Sequence, residues 1–208
     1  MTATLTAPAD SERATPIVMD EKPQRFRFTR DSVNRIAQDG FFEDENIELI
    51  DGSILTISPI NEPRVSSVSM ATETLRVLFY PGFTIRTQAP LDFGLDHQPQ
   101  PDLSIIAGSA KGRRVTPTNA LLVIEVAETS IGYDTGDKMS LYASAGILDY
   151  WVIDLKQQCI HVHRDPQDDP NQAFGKSYAT RRIYTLGDRI VPLAAPDGGS
   201  VAVADLLP

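Results

Sequence analysis

Leu121-Leu122-Val123-Ile124-Glu125-Val126 is the stretch on which the reading of this chain turns. It has the composition of a buried strand, and one residue in it is a glutamate. An ionised carboxylate among such neighbours is costly unless a cation or hydrogen bonds compensate it. Gln100-Pro101-Asp102-Leu103 repeats the problem, because Asp102 stands immediately before the apolar run Leu103-Ser104-Ile105-Ile106. Two acids, each tied to an apolar run, suggest adjacent strands aiming carboxylates at one metal ion.

Working outward, the pattern alternates helices with strand pairs. Thr29 or Asp31 can cap a helix to Gln38 that Gly40 ends. Ile47 to Ile50 and Ser53 to Ile57 flank Asp51-Gly52, which is a hairpin signal. Val65, Val68, Ala71, Leu75, Leu78 and Phe79 recur at three- and four-residue spacing, so residues 64 to 80 read as a helix. Phe83 to Arg86 and Leu91 to Phe93 follow, then the strands after Asp102 and around Glu125. Residues 134 to 145 read as a second long helix. Asp149 to Asp154 and Cys159 to His163 read as strands across a short turn, Asp165 to Gly175 as a polar loop, and Tyr178 to Tyr184 and Ile190 to Leu193 as late strands. This order fits an α/β (α+β) fold, a mixed central sheet flanked by helices. Residues 1–24, rich in Thr, Ala, Pro and acids, read as a flexible arm; residues 25–208 read as a single domain.

Composition narrows the function classes. With 41% hydrophobic residues the 208-residue chain can bury a real core, and 23% charged residues is ordinary for a soluble protein. A net charge of -9 argues against broad coating of nucleic acid, whose affinity comes from Lys and Arg neutralising phosphates. It leaves a metal site untouched, since such a site is itself built from carboxylates. No apolar run reaches membrane-spanning length and no signal-peptide pattern precedes the domain, so a cytoplasmic location and no membrane partner are expected. Glycine patterns of phosphate or dinucleotide loops are missing. Ser130, Ser140 and Ser144 lack a nucleophile-elbow context.

Four residues form the candidate constellation: Glu48 in Ile47-Glu48-Leu49-Ile50, Asp102, Glu125, and Lys138, four residues after Asp134 and so on one face of a shared helix. Carboxylate oxygens suit a hard cation such as magnesium. An ion held there would stabilise charge on a phosphate and lower the pKa of a bound water, and a lysine beside it would orient that water. Each residue also has a plain alternative: an edge-strand glutamate, a strand-entry aspartate, a solvated Asp–Lys helix pair. His161 and His163 alternate on one strand and could bind zinc, but a third ligand is not evident. Cys159 reads as an inert structural thiol, Tyr150-Trp151 as core, and Lys111, Arg113 and Arg114 as a solvated loop that could touch phosphate.

Taken in order, Glu48-Leu49-Ile50-Asp51-Gly52, Ser58-Pro59, Pro101-Asp102-Leu103, Val123-Ile124-Glu125-Val126, Tyr133-Asp134 to Lys138, Tyr142-Ala143, Gly146 and Tyr150 to Asp154 resemble the Uma-type restriction endonucleases of the PD-(D/E)xK nuclease superfamily, over about residues 26–190. The resemblance implies a restriction-endonuclease-like core. It makes Asp102 and Glu125 the metal-binding acids, with the Val126 backbone carbonyl as a third ligand, and Glu48 the acid from the preceding element. Lys138 becomes the lysine moved from strand to neighbouring helix, which accounts for Ala127 where a Glu-x-Lys pattern puts lysine. Family members commonly carry a histidine near the start of the helix after Ser-Pro; Asn61-Glu62-Pro63-Arg64-Val65 has none, which puts that helix's part in substrate contact in question. The expected activity is Mg2+- or Mn2+-dependent endonuclease cleavage of DNA, with a catalytically inactive nuclease-fold binding or assembly module as the alternative. An exposed edge strand would let two copies pair as a homodimer, which suits double-strand cleavage.

Overall fold

The computed structural model describes residues 25–43, 45–57 and 61–208. The arm expected over residues 1–24 lies outside them, as does the Ser58-Pro59 pair. Helix α1 spans Arg30–Gln38 and starts at Thr29, whose hydroxyl accepts from the Ser32 N–H while the Ser32 hydroxyl accepts from the Thr29 N–H. That reciprocal pairing satisfies two donors a helix start otherwise leaves open. Strands β1 (Ile47–Ile50) and β2 (Ser53–Thr56) form a hairpin of their own. Its turn places Asp51 and Gly52 at φ +50° and +66°, the left-handed pair a two-residue hairpin demands. Helix α2 (Glu62–Phe79) begins behind the Asn61 cap, with a proline in its first turn where a missing N–H is harmless.

The central sheet has six strands in the order β3 (Phe83–Thr87), β4 (Leu103–Ala107), β5 (Leu122–Ala127), β6 (Asp149–Asp154), β7 (Cys159–Asp168) and β8 (Lys176–Thr185). All neighbours run antiparallel except β5 and β6. A parallel pair needs a crossover. Helices α3 (Ile131–Asp134) and α4 (Asp137–Ser144) lie within it. Short strands β9 (Arg189–Ile190) and β10 (Val201–Ala202) pair near the C-terminus.

The period-two alternation of β5 and β6 divides the core between two faces. Ile124, Val126, Trp151 and Ile153 pack with Ala71, Leu75 and Phe79 of α2 and with the C-terminal Val203 and Leu206. Val123, Ala127, Tyr150 and Val152 pack with Met139, Tyr142 and Ala143 of α4. Tyr150 and Trp151 are fully buried, as core residues should be. A sheet whose central strands are buried on both sides, with helices against it, is the mixed architecture expected.

Four local expectations are corrected. The helix expected over 134–145 is two helices, broken at Thr135 and Gly136. A Cβ on Gly136 would stand 2.6 Å from the Gly132 carbonyl oxygen, so only glycine lets α3 and α4 approach this closely. Leu91 to Phe93 is not a strand; these residues return on Pro99 and His97 through isolated backbone bonds. Asp165 to Asp168, expected in a loop, continue β7, and Pro166 to Asp168 pair with Lys176 to Tyr178, because cross-strand pairing outweighs their polarity. The late strand expected over Ile190 to Leu193 is confined to Arg189 and Ile190.

Candidate active site

β4 begins only at Leu103, opposite Ile124. Continuing that register brings Asp102 opposite Glu125, so both carboxylates belong to one face. Here side chains replace the backbone ladder. The Val126 N–H donates to Asp102 Oδ2 at 2.8 Å, and the Asp102 N–H lies 3.4 Å from Glu125 Oε2. The acids of the two apolar runs therefore sit where two buried strands part, each held by the other's backbone.

Glu48 arrives from the hairpin. The Leu49–Gln98 bridge ties β1 to the segment leading into Asp102, and the Gln100 N–H donates to Glu48 Oε1 at 2.8 Å. Lys138, in the first turn of α4, closes the group: its ammonium donates to Glu48 Oε1 and Glu125 Oε1, both at 3.0 Å. Tyr142, four residues on and so on the same helical face, donates its hydroxyl to Glu125 Oε1 at 2.8 Å. The Lys138 ammonium also lies 5.9 Å from the Tyr133 ring centre. The structure thus brings Glu48, Asp102, Glu125 and Lys138 together, and all four are buried.

Arg64 is the member that sequence reasoning passed over. From the first turn of α2 its guanidinium grips both Asp102 oxygens, with contacts of 2.9 to 3.2 Å. The helix start that lacks the family's histidine therefore supplies a cation instead. The only sequence signal was that departure, a basic residue where an imidazole was expected. Asp134 was noticed only as a helix partner of Lys138; it is a fourth buried acid, and its carboxylate accepts from the Ser130 hydroxyl. Lys111, Arg113 and Arg114 stay exposed, and none of them lines the cleft.

Electrostatics show what the group lacks. Glu48, Asp102, Glu125 and Asp134 meet two cations, Arg64 and Lys138, which leaves two negative charges uncompensated when all are ionised. Burial pushes the Glu125 carboxyl well above the usual range; Lys138 opposes that, and Asp102, Asp134 and Glu48 add to it. Burial raises Asp134 likewise. Burial alone would lower the Lys138 ammonium, but Glu125, Glu48 and Asp134 overcome it and hold the charge firmly. Burial, then Glu48, pushes the Tyr133 hydroxyl up to about 12, so it stays a neutral donor. A cleft of about 560 Å³ opens above these residues, lined by Glu48, Arg64, Val126, Tyr133, Asp134 and Lys138 among others. Oxygen donors, with a deficit of two charges in the fully ionised group, fit a hard divalent cation.

His161 and His163, considered together for zinc, serve different surroundings. The His163 ring stacks on Tyr150 at 5.6 Å, with both ring nitrogens buried and unpartnered among the described residues. Burial, then Arg181 and His161, lowers its pKa to about 4. His161 instead faces Cys159, with Nε2 3.7 Å from the sulfur. Cys159 is buried, and burial raises its thiol pKa.

Residues 32–204 match the family described as "Uma2: Putative restriction endonuclease". Among solved structures the chain is similar to the crystal structure of "a putative nuclease belonging to DUF820 from Anabaena variabilis ATCC 29413", with TM-score 0.59 and 18% identity over 78% of this chain and 90% of that one. At that identity the likeness shows the fold. No curated protein matches the chain. Among the described residues, no helix is long and apolar enough to cross a membrane.

Proposed function

The chain belongs to the Uma2 family, and from that premise we propose that it is a divalent-metal-dependent endonuclease hydrolysing DNA phosphodiester bonds. The observation that carries this reading is the convergence of Glu48, Asp102, Glu125 and Lys138 in one buried group, of which Glu48 and Lys138 line the cleft. Asp102 and Glu125, with the Val126 carbonyl and Glu48, would hold Mg2+ or Mn2+. A bound ion would lower the pKa of a water and offset charge on the scissile phosphate. Lys138, kept protonated by its acids, positions the attacking oxygen from α4 rather than from β5. Arg64 neutralises Asp102 in the protein alone and lies on the cleft wall, where it would turn to a DNA phosphate. We place the protein in the cytoplasm and expect two copies to pair for double-strand cleavage.

One observation favours the second reading, a nuclease-fold binding or assembly module without catalysis: both Asp102 oxygens already accept from Arg64. Plasmid cleavage with added Mg2+ or Mn2+, alongside calorimetric titration of Mn2+, separates the two. The nuclease reading expects metal-dependent cleavage, lost by on the order of 10²–10⁴-fold in Asp102→Ala, Glu125→Ala and Lys138→Ala. Undiminished cleavage by Lys138→Ala would remove the lysine from the mechanism. Neither cleavage nor Mn2+ binding by the parent protein would leave the binding module.

A further inference from the structure

One strand beyond the cleft, a second group of ligand-type side chains meets at the β6–β7 hairpin. Asp154 ends β6 and Cys159 opens β7, and the two are direct cross-strand partners. His161 lies two residues along β7 and therefore on the same face as Cys159. The three donors, Asp154 Oδ2, Cys159 Sγ and His161 Nε2, all lie within 4.8 Å of one another. Sγ to Nε2 is 3.7 Å, and Nε2 to Oδ2 is 3.8 Å.

The Asp154 carboxylate is half used. Its Oδ1 accepts from the Lys156 and Gln157 N–H groups, each at 3.0 Å, so the hairpin turn fixes its orientation. Its Oδ2 is buried and has no hydrogen-bond partner among the described residues. A buried carboxylate oxygen left unpaired is costly, and native structures rarely leave one without a reason. Here it is aimed at a thiol and an imidazole nitrogen.

We propose that Asp154, Cys159 and His161 form a second metal site, for zinc or a similar borderline-soft divalent ion, independent of the nuclease reading. Zinc bonds of about 2.0–2.3 Å in tetrahedral array put neighbouring donors about 3.3–3.6 Å apart. The two separations to His161 Nε2, 3.7 and 3.8 Å, need to close by only a few tenths of an ångström, and the carboxylate and thiol, already within 4.8 Å, would draw together around the ion. Charge also balances: as the metal–sulfur bond forms the thiol releases its proton to solvent, and thiolate plus carboxylate neutralise the ion. Three protein donors leave a fourth position, and the His161 side chain, 19% exposed, offers a way in. The cleft presents oxygen ligands and this site presents sulfur and nitrogen, so the two select different ions.

Cobalt(II) titrated into the metal-free, full-length protein tests the site, because a thiolate ligand gives a charge-transfer absorption that an all-oxygen site cannot. One equivalent should bind with that band and be displaced by Zn2+. Cys159→Ser should abolish the band, and His161→Ala should weaken binding by roughly tenfold or more. Asp102→Asn, which alters only the cleft, should leave the band intact. The proposal fails if the parent protein shows no thiolate band, if His161→Ala binds undiminished, or if Asp102→Asn removes the band. Should Cys159→Ser fail to fold, the His161→Ala and Asp102→Asn results decide alone.

Discussion

Strands β4, β5 and β6 are buried on both faces, and the faces differ in what burial does for them. Against α2, Leu75, Phe79, Ile105, Ile124, Trp151 and Ile153 form one apolar layer. Against α4 the layer is interrupted: Asp102 and Glu125 occupy positions that apolar residues could fill, with Lys138 and Tyr142 reaching down to them. On the first face burial stabilises the fold. On the second it raises the energy of carboxylates that face too few cations. The contrast is the one expected if the α4 side carries the proposed chemistry, since stability alone would be served by apolar residues there.

The largest expected difference comes from truncating the apolar face. Phe79, buried edge-to-face on Phe83 with ring centres 5.2 Å apart, should cost about 3–5 kcal/mol of unfolding free energy as Phe79→Ala. Chemical denaturation measures it. A loss below 1 kcal/mol would mean that the α2 layer is not the stabilising one.

A smaller effect separates the uncharged part of the α4 face from the cleft. His163 holds a neutral ring whose pKa falls from 6.5 to about 4 on folding. The unfolded chain binds more protons between those values, so stability is full above about pH 6.5 and falls as pH drops toward 4, by roughly 3 kcal/mol. His163→Phe should remove that acid-dependent loss in melting experiments across the window. An unchanged pH slope would show that the ring is not the proton acceptor.

The smallest effect has the opposite sign. Asp134→Asn removes one uncompensated charge and should stabilise the protein by roughly 0.5–2 kcal/mol, as substitutions that relieve a strained site do. Because folding raises this carboxyl's pKa, the gain should be greatest at high pH and shrink as pH falls and the acid takes up its proton. Destabilisation at every pH would mean that the four acids are already balanced, and the contrast between the faces would lose its physical basis.

The cleft and the fold were not equally legible in the sequence. Glu48, Asp102 and Glu125 stood out because a charge inside an apolar run conflicts with its surroundings, and the conflict is visible without knowing the partner. The succession of strands and helices along the chain followed from the same runs and their turn residues, whereas their order in the sheet did not. Arg64 gave no such signal: a basic residue in the first turn of a helix looks like surface, and its contact with Asp102 spans 38 positions. The break at Gly136 was hidden because the pattern on either side stays helical; only the approach of the Gly132 carbonyl shows why the chain turns. Pro166 to Asp168 pair because β8 lies beside them, which polarity cannot foretell.

The β1–β2 hairpin forms its own two-stranded sheet, bonded at Leu49 to Gln98, at Glu48 to Gln100 and at its turn to Phe28, Asp96 and His97, and it delivers Glu48 to Lys138 across 90 positions. The hydrophobic layers of the large sheet can therefore condense before the cleft is complete. Assembly of the charged centre thus waits on a contact of long sequence separation, slower to close than the local contacts around it.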